Sequence, residues 1–292
     1  MKLTQKVVIG YIQTKFKLLT FISKRKAAEQ AFVLFSTPYL KSKRREPPKN
    51  AELLSFKLKL PEYNVKRSGH AHQLTVKGYR WNHPQPVKVL ILHGFGSAAY
   101  KFERYVAPLI KKGYEVLAFD APAHGDSEGK TTNAVEYAEM IRKVMELYGP
   151  VERFIAHSFG GISLSLALEN TAHDANTKIV FIAPATETTS AVEGAFAMLK
   201  IKNAAVKKEF ENIIFNISGK ETAWFSIRRA MKHIRARVLW IHDEDDDVTP
   251  WRDALKVKED NHPNIHFVIT KGLGHRKIYH DAGIKNEVIS FL

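Results

Sequence analysis

Three stretches of this sequence carry residues that could do chemistry together. His157-Ser158-Phe159-Gly160-Gly161 follows a short apolar run, Arg153–Ala156, and leads into an apolar helical pattern. A serine at such a strand–turn–helix junction stands on a sharp elbow, its hydroxyl exposed at the C-terminal edge of a sheet. The elbow forces strained backbone angles on the serine, so the residues two places away must be small. Here they are Ala156 and Gly160, one methyl group more than a strict G-x-S-x-G. Serine is a weak nucleophile until a base takes its proton, and a carboxylate must hold that base in the right tautomer. Both partners follow later in the chain. The run Arg237–His242 empties into Asp243-Glu244-Asp245-Asp246-Asp247-Val248-Thr249-Pro250, and His266–Thr270 empties into Lys271-Gly272-Leu273-Gly274-His275. The order Ser…Asp…His, each group at the end of an apolar run, is the order expected at the C-terminal edge of an α/β sheet.

Two other motifs compete for the same chain. Val89–Leu92 runs into Gly94-Phe95-Gly96-Ser97-Ala98-Ala99, a G-x-G-x-x-A followed by a helix and then a strand ending at Asp120. That spacing suits a dinucleotide's pyrophosphate and ribose, but turns between strand and helix also recruit glycine for steric reasons alone. Gly125-Asp126-Ser127-Glu128-Gly129-Lys130-Thr131 ends in G-K-T, yet only three residues separate its glycines. A phosphate-cradling loop needs four, so this reading is rejected.

The elements that must position these residues can be read from the same pattern. Strands are expected at Leu54–Leu60, Gln73–Trp81, Val87–His93, Glu115–Asp120, Arg153–Ala156, Lys178–Ile182, Arg237–His242 and His266–Thr270. Helices are expected at Tyr100–Lys112, Ala134–Tyr148, Gly160–Asn170, Arg252–Asp260 and Ile278–Leu292. The first two strands have no helix between them and read as an antiparallel hairpin. The later ones are continuously apolar, as in a sheet covered on both faces. The whole is an α/β, mostly parallel, doubly wound eight-stranded sheet. The stretch from about 184 to 234 is too long for a simple crossover. With Phe196, Met198, Leu199, Phe210, Phe215, Trp224 and Phe225 it reads as an inserted helical cap, whose apolar residues either line an acyl pocket or join cap to core.

Composition narrows the classes. The 292 residues include no cysteine, which excludes disulfides, Cys-ligated zinc, iron–sulfur clusters and a thiolate nucleophile. No apolar run approaches the roughly 20 residues of a bilayer span, and the opening apolar run is too short for a signal peptide, so an intracellular, cytoplasmic protein is expected. The formal net charge of +15 is uneven: residues 1–50 hold 12 Lys/Arg and 2 Asp/Glu, and the rest is near ordinary. A boundary falls at Arg45-Glu46-Pro47-Pro48-Lys49-Asn50, dividing residues 1–50 from 51–292. Within the first part, Lys2, Lys6, Gln13, Lys17 and Lys24 share one helical stripe, with Leu3, Val7, Tyr11, Leu18, Phe21 and Ile22 opposite and Lys15 out of place. A basic amphipathic helix of this kind docks on an anionic membrane surface through residues 1–45, or packs on the core or on a partner. Nucleic acid is not expected, since no recognition module accompanies the charge.

Taken together, the motifs resemble the α/β-hydrolase superfamily, in its esterase/lipase-like (lysophospholipase-like) branch with a helical cap. The resemblance covers about residues 51–292. It rests on His93-Gly94-Phe95-Gly96 (H-G-x-G), Asp120-Ala121-Pro122-Ala123-His124-Gly125-Asp126-Ser127 (D-x-P-x-H-G-x-S), the Ser158 elbow, the acid turn and Gly274-His275. The D-x-P-x-H-G-x-S segment makes Asp120 a structural loop acid, against the dinucleotide reading. The resemblance implies Ser158 as nucleophile, His275 as base and Asp246, four residues before Pro250, as the acid. Asp245 and Glu187 stand as alternative acids, and Asp243 occupies a place where glycine is more usual. It implies the Phe95 and Phe159 amides as the oxyanion hole. No phosphate-clamping Arg cluster or metal-ligand spacing occurs in the sequence, so no cofactor and no metal are expected. His93, His157, Asp120 and His124 are expected to order loops. The function implied is hydrolysis of a small-molecule carboxylic ester or thioester with an apolar acyl group. Amidase, aminopeptidase or acyltransferase chemistry on the same fold, and a non-catalytic binding protein, are the alternatives.

Overall fold

The computed structural model describes residues 3–38, 46–60 and 73–292, with side chains from residue 10 onward. Lys2, Arg45 and the side chains of Leu3, Lys6 and Val7 lie outside the described residues.

Eight strands form one sheet: β1 (Glu52–Lys59), β2 (Gln73–Trp81), β3 (Lys88–Leu92), β4 (Glu115–Phe119), β5 (Arg153–His157), β6 (Lys178–Ile182), β7 (Arg237–Asp243) and β8 (Ile265–Thr270). Their order is β1-β2-β4-β3-β5-β6-β7-β8. β2 pairs antiparallel with β1 and β4, and every other pairing is parallel. The chain leaves β3 toward β4 on one side and returns past it to β5 on the other. This reversal opens a crevice beyond the C-terminal ends of β3 and β5, where an open α/β sheet binds ligands.

The central strands are buried because both faces are covered. On β3, Leu90 and Leu92 join one core while Val89 and Ile91 join the other, the two-residue alternation of a strand. The first face is covered by α4 (Ala134–Tyr148), α5 (Phe159–Leu168) and α9 (Trp251–Glu259), the second by α3 (Glu103–Lys111) and α11 (Ala282–Phe291). From Gly160 to Leu168 every residue of α5 is buried, as expected of a helix that is apolar all round.

Between β6 and β7 the cap is α6 (Thr188–Leu199), α7 (Ala204–Ser218) and the single turn α8 (Ile227–Ala230). Phe196, Leu199, Phe210 and Phe225 are buried in packing, whereas Met198 and Phe215 are exposed. Phe210 is fully buried, with Phe196 at 5.2 Å between ring centroids and Phe32 and Phe35 at 5.6 and 5.7 Å. Phe32 and Phe35 belong to the N-terminal segment, so the cap core is shared with the start of the chain.

That segment is two helices, α1 (Leu3–Ile22) and α2 (Lys24–Ser36), where the stripe from Lys2 to Lys24 predicts one. The break is at Ser23, whose extended backbone and side-chain oxygen, accepting from the Lys26 N–H at 3.3 Å, start α2 afresh. The helix expected over Ile278–Leu292 is likewise broken. After α10 (Gly274–Lys277) and a short turn, Asp281 caps α11 by accepting from the Ile284 N–H at 3.0 Å.

Candidate active site

Ser158 lies between β5 and α5 with φ 52° and ψ −118°, an unfavourable conformation for a residue with a side chain. Its surroundings explain the glycines. A Cβ at Gly160 would lie 2.8 Å from the Leu92 carbonyl oxygen, and one at Gly94 would lie 3.0 Å from Ser158 Cβ. Only glycine lets the loop after β3 approach the elbow this closely.

The loops after β7 and β8 bring two further side chains to Ser158. His275 Nε2 is 3.0 Å from Ser158 Oγ, and His275 Nδ1 is 2.8 Å from Asp246 Oδ2. All three residues are buried. Because Asp246 can only accept at that oxygen, Nδ1 carries the proton and Nε2 presents a lone pair to the Ser158 hydroxyl. Asp246 Oδ1 also accepts from the Val248 and Thr249 N–H groups, both at 2.8 Å, and Oδ2 from Thr249 Oγ1 at 2.8 Å. Burial opposes the charge on Asp246. The hydrogen bonds from His275, Thr249 and Val248 outweigh it and hold the carboxyl below its usual range.

The other candidate acids are engaged elsewhere. Asp245 Oδ2 accepts from the Gly272 N–H at 3.1 Å, and Glu187 Oε1 accepts from Ser226 Oγ at 2.8 Å. Asp243, the departure from glycine, is a buried link between the two loops. Its Oδ1 accepts from the Asp245 N–H at 3.0 Å, and its Oδ2 from Thr270 Oγ1 at 2.7 Å and the Leu273 N–H at 3.0 Å. Two residues the sequence reading passed over complete the acid turn. Thr249 Oγ1 reaches Asp246, and buried His242 donates from Nε2 to the Thr249 carbonyl at 2.8 Å. A hydroxyl beside a proline and a histidine inside a strand carry no local signal of such a role.

Phe95 and Phe159 meet edge to face with ring centroids 5.5 Å apart, so the loop after β3 and the start of α5 adjoin at Ser158. Phe159 is the first residue of α5, and its N–H has no acceptor within the helix. Around these loops sit histidines that order backbone. His93 Nε2 accepts from the Ala121 N–H at 3.0 Å, which leaves Nδ1–H to donate to the Gly94 carbonyl at 2.8 Å. His124 Nε2 accepts from the Gly96 N–H at 2.9 Å. Asp120 accepts from the Ala99 and Asp126 N–H groups at 2.8 and 2.9 Å. His157 donates from Nε2 to the His275 carbonyl at 3.3 Å, its ring 4.8 Å from that of His275.

Burial drives His93 down to about 4 and His157 to about 3. Each titrates lower in the folded protein than in the unfolded chain, so the unfolded chain binds the extra protons as pH drops. The stability tied to each neutral ring is whole above about pH 6.5 and is lost as pH falls toward those two values. At pH 5 the loss is roughly 2 kcal/mol for each histidine. Urea unfolding at pH 7 and pH 5 is expected to show a clearly lower midpoint at pH 5; an unmoved midpoint contradicts the buried neutral assignment.

Among the described residues, no group of three or more His, Asp or Glu side chains is arranged to hold a metal ion. Among those residues, too, no helix is long and apolar enough to cross a membrane.

Comparison with known proteins agrees with this architecture. A family model described as the alpha/beta hydrolase fold matches residues 88–206. The uncharacterized hydrolase YugF of Bacillus subtilis is 33% identical over 94 residues, 30% of this chain and 34% of that protein. The probable esterase PIR7A of rice (Oryza sativa) is 33% identical over 85 residues, 27% of this chain and 32% of that protein. The matched stretch thus spans about a third of the length of these curated relatives. Among solved structures, the Pyrococcus furiosus esterase Pf2001 superposes with a TM-score of 0.62 at 20% identity, over 86% of this chain and 96% of that one. Est1E of Butyrivibrio proteoclasticus, with ferulic acid bound, gives 0.58 at 18% identity over 75% and 94%. At these identities the likeness speaks to the fold.

Proposed function

We propose that this chain is an α/β-hydrolase and, from that premise, a serine hydrolase of carboxylic esters or thioesters with apolar acyl groups; the family model over residues 88–206 supports the premise. The observation that carries this reading is the continuous contact Ser158 Oγ–His275 Nε2–Asp246 Oδ2, at 3.0 and 2.8 Å, at the C-terminal edge of the sheet.

In the proposed reaction Ser158 Oγ bonds to the substrate carbonyl carbon while its proton passes to His275 Nε2. The carbonyl π electrons move onto oxygen, and the Phe95 and Phe159 N–H groups stabilise that oxyanion. Asp246 steadies the imidazolium without taking its proton. Collapse of the tetrahedral species breaks the bond to the leaving alcohol or thiol, which receives the proton from His275. Water then attacks the acyl-serine, His275 accepts the water's proton, and collapse returns a proton to Ser158 and releases the carboxylic acid. Amides or a second alcohol as acceptor fit the same machinery, and the fold does not choose among them.

The test is covalent. Purified protein is expected to label stoichiometrically with a fluorophosphonate probe and to hydrolyse a chain-length series of activated esters with a preference for apolar acyl groups. Folded protein that neither labels nor turns over any ester makes the non-catalytic scaffold the correct reading.

A further inference from the structure

Helix α1 is held to the cap by one face and leaves another open. Phe16 is buried, Ile12 and Leu19 pack half-buried on the same core, and Gln13 donates from Nε2 to the Met198 carbonyl at 2.8 Å. On the other side Tyr11, Leu18, Phe21 and Ile22 stand in solvent, Phe21 at 89% exposure. The apolar stripe read from the sequence is therefore not the face that packs.

The open face is ordered. At about 100° per residue, Leu18, Tyr11 and Ile22 fall within about 40° of one another, with Phe21 about 60° to one side. Exposed Lys15 and Lys17 border this arc, one on each flank. Residues 3–22 contain no acidic residue, and residues 1–50 carry a net charge of +10.

We infer that this face of α1 docks on an anionic lipid surface. Tyr11, Leu18, Phe21 and Ile22 enter the acyl–headgroup boundary, and Lys15 and Lys17 lay their methylenes along it with their ammonium groups at the phosphates. A second copy of the chain fits less well. Face-to-face pairing would crowd the lysines of both copies into one seam with no acid on α1 to offset them. Because α1 rests on α6 and α2 on α7, the docked element is the cap, which is held at the bilayer with it. The inference stands apart from the hydrolase reading, since it uses no residue of the Ser158 site.

Deleting the segment is the wrong test, because Phe32 and Phe35 cover Phe210 of the cap. Exposed positions serve better. The full chain is expected to float with phosphatidylcholine–phosphatidylglycerol vesicles at low salt and not with phosphatidylcholine alone. The pair Leu18→Asp and Phe21→Asp should lower the bound fraction at least ~10-fold. The pair Lys15→Glu and Lys17→Glu should do the same through charge, with thermal unfolding unchanged in both. Ser158→Ala should float like the parent, which keeps this outcome separate from catalysis. Absence of flotation by the parent overturns the inference, as does flotation that survives both pairs. A solution dimer that Phe21→Asp dissociates overturns it too, because the occupant is then a second copy.

Discussion

Ser158→Ala is expected to lower kcat for an activated ester by ~10⁴-fold or more and to abolish fluorophosphonate labelling. The size follows from what remains. The variant keeps the proposed oxyanion donors, the fold and His275 with its Asp246 contact, but has no atom to form the proposed acyl-enzyme. The positive φ at residue 158 is imposed by the elbow, with Gly94 and Gly160 built to allow it, and alanine meets the same strain as serine. Thermal unfolding close to the parent's, together with lost turnover, assigns the loss to chemistry. Labelling that persists undiminished in the variant moves the nucleophile elsewhere and defeats the assignment.

The second large effect is expected at Asp246→Asn, with kcat down by about 10⁴-fold. Asp246 Oδ2 accepts from His275 Nδ1 and from Thr249 Oγ1, so an amide nitrogen placed there turns an acceptor into a donor. The imidazole is then stabilised with its proton on Nε2, facing a hydroxyl from which it can no longer accept. Asp245→Asn and Glu187→Gln are expected to stay near parental rates, since those carboxyls bind the Gly272 N–H and the Ser226 hydroxyl. Steady-state kinetics on all three variants decides the matter. A rate loss at Glu187 or Asp245 equal to that at Asp246 refutes the choice of acid.

Much of this arrangement is legible in the sequence because the informative residues sit where strands end. The apolar runs that emerge as β3, β4, β5, β7 and β8 each discharge into a motif with polar residues, and the motif's place in the chain fixes its place on the sheet edge. What is not legible depends on turns whose partners are far away. The spacing to Pro250 singles out Asp246 among the acids of residues 243–247, but it does not say that the turn sends Asp243 to Thr270 and Leu273 and Asp245 to Gly272 while Asp246 meets His275. Thr249 carries no mark of its hydrogen bond to Asp246. The N-terminal helix shows the same limit in another form. A periodic apolar stripe announces an amphipathic helix, but not which face meets the protein. Here Ile12, Phe16 and Leu19 make the contact, and Ser23 ends the helix by a cap too short-ranged to outweigh the surrounding helical pattern.

The shared core of α2 and the cap has a consequence for the order in which the protein assembles. Phe32 and Phe35 both pack against Phe210, so this part of the apolar face of α2 waits for a partner made about 180 residues later. During synthesis at ~5–20 residues per second, that interval is roughly 10–40 s. For that time the nascent chain carries α2 without the α7 surface that covers Phe32 and Phe35 in the native fold. The cap, which packs on helices made about 180 residues earlier, is therefore expected to close late, after the central strands have begun to form.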